Sequence, residues 1–174
     1  KQTIKREDAD IHFMVGGTQT NIAVITAILK HYQGAICAES GHINAHETGA
    51  LESVGHKCLT LPTSNGKITA KQVDTLIHNH YNDASAEHTV QPGIVYISFP
   101  TESGTLYTKQ ELKDLYNICQ KHNIPLFIDG ARLGYGLMAK KNDVTFEDIA
   151  NLCNVFYIGG TKVGALFGEC IVIL

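Results

Sequence analysis

Lys162 stands between glycines in FYIGGTKVGALFGE, directly after an apolar run, so the backbone around it can approach a ligand closely. A desolvated lysine amine in such a loop is a usable nucleophile toward a carbonyl carbon. The plain alternative is a solvated loop lysine. The stretch is neither a P-loop nor a Rossmann fingerprint, because GxxxxGK[ST] and GxGxxG are both missing. Asp129 closes the apolar run PLFID, where a lone carboxylate is costly unless it meets a cation. A protonated heteroaromatic nitrogen would serve. So would an ion pair with Arg132, three residues on, and Asp129 as a helix N-cap is a further reading. Arg132 itself has the fork that binds carboxylate or phosphate through two hydrogen bonds.

Two further segments could hold groups of substrate size. Gly16 to Asn21 (GGTQTN) opens a helical pattern, so Gly17 and Thr18 offer N–H groups and a helix dipole to a phosphate, or else Thr18 or Thr20 simply caps the helix. His42 in ESGHINAHETGA follows a strand-like run and could stack on a flat ring or move a proton. The spacing His42, His46, Glu47 hints at a metal, but the HExxH order and a third ligand are both missing, so no metal is expected. His78 and His80 fall on a polar helix face and read as solvated.

The elements that must position these residues alternate. Strand character at 12–14, 34–38, 56–61, 93–99, 126–129 and 155–158 is separated by helical patterns at 21–31, 46–55, 69–81, 108–122 and 146–152. That alternation predicts an α/β fold, a mostly parallel central sheet with helices on both faces and strand C-termini along one edge. Gly17-Thr18, Ser98 to Gly104, Asp129 to Arg132 and Gly159 to Lys162 all fall on that edge. The run GECIVIL at the end of the sequence is of strand type without a following turn.

Composition narrows the function classes. With 174 residues, 44% hydrophobic and 18% charged, the chain suits one domain with a single large core. A net charge of −3 with scattered Lys and Arg gives no basic stripe, so nucleic acid is not an expected partner. No segment approaches ~20 consecutive apolar residues, so no membrane is expected either. The five cysteines form no CxxC pair and read as reduced, mostly buried thiols of a cytoplasmic protein.

Taken in order, a glycine-threonine turn opening a helix, a histidine after the second strand, an Asp-x-x-Arg and a Gly-Gly-Thr-Lys resemble the large domain of fold-type-I pyridoxal-phosphate enzymes. GTQTN, AESGHINAHETGA, PTESGTLYT, FIDGARLGYG and YIGGTKVGALFGE are similar to the threonine aldolase and β-eliminating lyase group across nearly the whole chain. The resemblance implies pyridoxal 5'-phosphate as cofactor. Lys162 is then the Schiff-base lysine, Asp129 the partner of the ring nitrogen, His42 the stacked and catalytic imidazole, and Gly17 and Thr18 the phosphate holders. It further implies that Arg132 binds the substrate carboxylate and that Thr101, in PTESGT, contacts cofactor or substrate.

Residues 1–174 are then a cofactor-binding large domain, expected to lack an N-terminal segment and a C-terminal small domain. The implied activity is retro-aldol cleavage of L-threonine or allo-threonine to glycine and acetaldehyde by a homodimer or homotetramer. A β-eliminating lyase, another β-hydroxy-amino-acid aldolase, and a non-catalytic α/β assembly module remain as alternatives. Thr161-Lys162-Val163 departs from the Ser-Lys-Gly that many members carry around the lysine.

Overall fold

The computed structural model describes residues 1–174. Seven strands form one sheet: β1 (Asp10–Met14), β2 (Gln33–Ala38), β3 (Cys58–Leu61), β4 (Gln91–Ser98), β5 (Leu126–Asp129), β6 (Val155–Gly159) and β7 (Glu169–Ile173), in the spatial order β1-β7-β6-β5-β4-β2-β3. The run from β6 through β3 is parallel. β7 pairs antiparallel with both β6 and β1, so it alone runs against the others. The strand-like GECIVIL thus forms the one reversed strand, and the C-termini of the remaining six share an edge as expected.

The helices are α1 (Gly17–Ile28), α2 (His42–Ala45), α3 (Ala50–Ser53), α4 (Ala70–Asn82), α5 (Lys109–Lys121), α6 (Leu133–Leu137) and α7 (Phe146–Asn151). Both sheet faces are covered. Strand alternation sends Val95 and Ile97 of β4 into one core with Val73 and Ile77 of α4, Leu112 and Leu115 of α5 and Ile149 of α7. It sends Ile94 and Tyr96 the other way, to Val24 and Ile25 of α1, Ile43 of α2 and Leu51 of α3.

Three helices start where the sequence supplies a reciprocal cap: Thr69 with Gln72, Thr108 with Glu111, and Thr145 with Asp148. α1 differs, because Gly16 is its N-cap and no side chain closes its first turn. Thr20 instead donates to the Gly16 carbonyl at 3.0 Å, so the reading of Thr18 or Thr20 as a cap is corrected. The single helix expected over 46–55 is also corrected. Thr48 (φ 50°) and Gly49 (φ 76°) are left-handed, which breaks the segment and leaves only the single turns α2 and α3 on either side. α6 follows Arg132 without the periodicity that would have marked it.

Candidate active site

Asp129 ends β5 in the middle of the sheet, beside Ser98 of β4, and its carboxylate is buried at 3% exposure. Its partners come from three elements and the turn after β5. Tyr157 of β6 donates to Oδ1 at 2.6 Å, and the backbone N–H of Ala131 reaches the same oxygen at 2.9 Å. Tyr96 of β4 donates to Oδ2, which also accepts from the Asn21 amide of α1 at 3.2 Å. Every donor is neutral. Arg132 is the N-cap of α6, half-buried and without an ion pair to Asp129, so the salt-bridge reading of Asp-x-x-Arg does not describe this arrangement.

The turn after Asp129 has to be glycine. A Cβ on Gly130 would lie 1.8 Å from the Tyr157 carbonyl oxygen, and one on Gly159 would lie 2.4 Å from that of Ala131. These two close approaches bring the ends of β5 and β6 together, and with them Asp129 and the Lys162 loop.

Lys162 lies in a 3-10 turn, Thr161–Val163, on an exposed loop that ends at Gly164 (φ 101°). The loop is tied down from two sides. The Tyr135 hydroxyl donates to the Lys162 carbonyl at 2.8 Å. Glu169, at the start of β7, accepts from the Gly160 N–H and the Thr161 hydroxyl, each at 3.2 Å. Burial pushes the Glu169 carboxyl above the usual carboxylate range; its bonds to Thr161 and Gly160 oppose that rise, the nearby Asp129 charge adds to it, and the Lys162 charge opposes it.

His42 is the first residue of α2, with its side chain a quarter exposed and Nε2 3.9 Å from Glu47 Oε1. Glu47 is buried, and its Oε1 accepts from Asn21 Nδ2 at 2.9 Å. Asn21 therefore bridges Asp129 and Glu47, with the imidazole close by but beyond hydrogen-bonding distance of Glu47. Asn21 Oδ1 and Glu47 Oε2 are buried without a partner.

Gly17 and Thr18 begin α1, at the uncapped end. A Cβ at Gly17 would come within 3.3 Å of the Tyr157 hydroxyl, so this helix end sits directly against the group that holds Asp129. Thus Gly17, Thr18, His42, Asp129, Arg132 and Lys162 all lie on the C-terminal edge of the sheet. Thr101 does not join them as a ligand-facing group. It is 1% exposed, and its hydroxyl pairs with Thr105 Oγ1 at 2.7 Å, so its placement supports a loop-holding role.

The reading from the sequence missed Asn21, Tyr96, Tyr157 and Glu169, and gave Glu47 no role beyond a discounted metal spacing. Asn21, one residue into the helical pattern from GGTQT, carried a usable signal, since a buried amide on a helix face needs polar partners.

A family model described as Beta-eliminating lyase matches residues 5–172. A low specificity L-threonine aldolase from Pseudomonas sp. is 31% identical over 170 residues, covering 94% of this chain and 47% of that protein. A low-specificity L-threonine aldolase from Candida albicans is 24% identical over 90% of this chain and 43% of its own length. A solved structure of Leishmania major threonine aldolase superposes with a TM-score of 0.94 at 46% identity, over 99% of this chain and 49% of that one. The chain spans about half the length of the curated relatives it matches. With a family match across almost all of its residues and a buried carboxylate, a glycine-flanked lysine and an uncapped helix start on one sheet edge, the chain belongs to the beta-eliminating lyase family.

Proposed function

We propose that the protein is a pyridoxal-phosphate-dependent lyase that cleaves L-threonine or allo-threonine to glycine and acetaldehyde, and that residues 1–174 are its cofactor-binding part. The observation that carries this reading is Asp129, a buried carboxylate whose donors are all neutral. A buried charge compensated only by dipoles is expensive, and a protonated ring nitrogen supplies the missing cation. The residues present therefore fit the cofactor: Asp129 for its ring nitrogen, Gly17 and Thr18 for its phosphate at an uncapped helix start, and Lys162 as the amine that would hold it covalently.

When bound, pyridoxal phosphate supplies an electron sink for the bonds at the substrate α-carbon. The chain's own residues do the rest. Arg132, half-buried and unpaired, binds the substrate carboxylate and so sets which α-carbon bond faces the chemistry. His42, its Nε2 3.9 Å from the Glu47 carboxylate, takes the proton from the β-hydroxyl, directly or through a water. Glu169 holds the lysine loop in place through Gly160 and Thr161.

Exposed Phe13, Val15, Leu166 and Phe167 lie around the outer strand β1 and the lysine loop, and they favour a homo-oligomer that covers this side of the site. No helix is long and apolar enough to cross a membrane, and the five free thiols suit the cytoplasm.

The test is product analysis on the full-length protein with pyridoxal phosphate and threonine. Glycine with acetaldehyde supports the reading. The family's other chemistry, β-elimination, would give ammonia and a keto acid instead, and no product together with no cofactor uptake would favour an assembly module.

A further inference from the structure

Tyr96 and Tyr157 enter the sheet on β4 and β6, the two neighbours of β5, and both are buried at 1% exposure. Strand alternation places them on the α1 side together with Phe127 and Asp129 of β5. The rings lock one another: Tyr96 meets Phe127 edge-on at 5.6 Å, and Phe127 meets Tyr157 at 6.2 Å. If filling the core were their whole role, phenylalanine would do, as it does at position 127 between them. A buried phenol costs free energy unless its hydroxyl finds an acceptor. Each of these hydroxyls has one acceptor, and it is the same carboxylate: Tyr96 on Oδ2 and Tyr157 on Oδ1. Tyr107 provides the contrast, since its equally buried hydroxyl accepts the backbone N–H of Ile68, which is an ordinary structural use.

We infer that Tyr96 and Tyr157 are positioning residues for Asp129, one hydroxyl on each carboxylate oxygen, fixing the plane in which the carboxylate meets a cofactor ring nitrogen. This rests on the assignment of Asp129 under the proposed function. Burial, and then the Asp129 charge, push both phenols far above their ordinary range, so both remain hydrogen-bond donors at working pH. With Ala131 and Asn21 they fill the roughly four acceptor sites of the carboxylate, two donors to each oxygen. Admitting a ring nitrogen requires that one donor yield. The Asn21 amide is that donor, because its contact to Asp129 is the longest at 3.2 Å and it keeps Glu47 at 2.9 Å. The tyrosines have no second acceptor and stay.

The experiment uses the full-length protein with Tyr96→Phe and Tyr157→Phe, each made in the wild-type and in the Asp129→Asn background. The dissociation constant of pyridoxal phosphate is measured by titrating the apo-protein, beside kcat and KM for threonine and a circular dichroism check of folding. Each single Phe variant is expected to weaken cofactor binding about tenfold, as loss of one hydrogen bond to a charged group implies, and to lower kcat with KM nearly unchanged. In the Asp129→Asn background the same changes should add nothing. Single variants that match wild type, or that lose as much in the Asn background, overturn the inference. Wild-type cofactor affinity and rate in Asp129→Asn itself would instead remove the underlying assignment of Asp129, and the inference with it. Should a Phe variant fail to fold, fluorine spectra of the 3-fluorotyrosine-labelled protein decide the matter: Asp129→Asn should shift two tyrosine resonances, and no shift overturns the inference.

Discussion

Asn21→Leu separates the structural from the chemical cost of this site. The replacement is close in volume but removes the amide that donates to Glu47 at 2.9 Å and to Asp129 at 3.2 Å. Asp129 keeps three donors after the change. Glu47 keeps none within hydrogen-bonding distance, since the His42 ring is 3.9 Å away. Stranding one buried carboxylate costs about 3 kcal/mol, and the weaker loss at Asp129 about another 1 kcal/mol. Against a total of roughly 5–15 kcal/mol for a domain, ~4 kcal/mol is large. The same reasoning fixes the rescue. Glu47→Met removes the stranded charge and leaves an apolar side chain beside the leucine, so Asn21→Leu combined with Glu47→Met should recover about 2 kcal/mol of the loss. Thermal unfolding of the full-length apo-protein, followed for wild type, both single variants and the pair, reads this as an order of midpoints with the pair above Asn21→Leu alone. A pair no more stable than Asn21→Leu would refute the claim that the stranded Glu47 carries the cost.

Lys162→Ala should abolish the borohydride-reducible absorbance of bound cofactor and all turnover, because no other lysine occupies a glycine-flanked loop at a strand end; retained absorbance would move the covalent link elsewhere. Gly130→Ala places a Cβ 1.8 Å from the Tyr157 carbonyl oxygen, where 3.0 Å is the practical limit, so β5 and β6 must part. The expected cost is ~3 kcal/mol or more in stability, with cofactor affinity falling as Asp129 moves, and an unchanged melting temperature would contradict the geometry. Glu169 has its folded-state value raised by burial, so its contribution to stability is fullest below the unfolded value near 4.5 and is lost as pH rises through the raised one. Melting curves should therefore show wild type losing ground to Glu169→Gln between acid and neutral pH, and a trend in the opposite direction would mean that the carboxylate is stabilised, not strained, by its site.

The layer of the site that faces outward was legible in the sequence, and the layer behind it was not. Lys162, Asp129, Arg132 and Gly17 each sit at the end of an apolar run, where a polar or glycine residue interrupts the pattern and the parallel topology predicts a shared edge. Tyr96 and Tyr157 lie inside GIVYISF and VFYIGG, where an aromatic residue is what a buried strand requires, so nothing in the run separates a hydroxyl with a task from one more core ring. Glu169 was hidden for another reason: its significance depends on β7 running antiparallel to β6, which returns it to the lysine loop. Thr101 shows the converse case. A threonine in a glycine-containing loop on the functional edge has the right address, but Thr105, four residues on, takes its hydroxyl.

The distribution of buried polar groups argues that this edge was shaped by chemistry and not by stability. Thr20, Asn21, Glu47, Ser98, Thr101, Asp129 and Glu169 are all buried, and all lie at the C-terminal edge of the sheet or in the segments that leave it; His56, at the opposite end of β3, is the exception. Three of them are carboxylic acids, while Lys162, Arg132 and His42 remain exposed or half-buried above them. A fold selected for stability alone would place well-packed apolar residues where these acids lie, because burying an acid without a counter-charge is costly. It would also leave no buried Asn21 Oδ1 or Glu47 Oε2 without a partner. The arrangement makes sense when Asp129 and Glu47 are held by neutral donors from α1, β4 and β6 so that their negative charge is presented to something cationic that arrives at the rim. The rigid sheet below supplies the precision, and the lysine loop is anchored to that sheet through Tyr135, Glu169 and the backbone bond from Gly160 to Gly168.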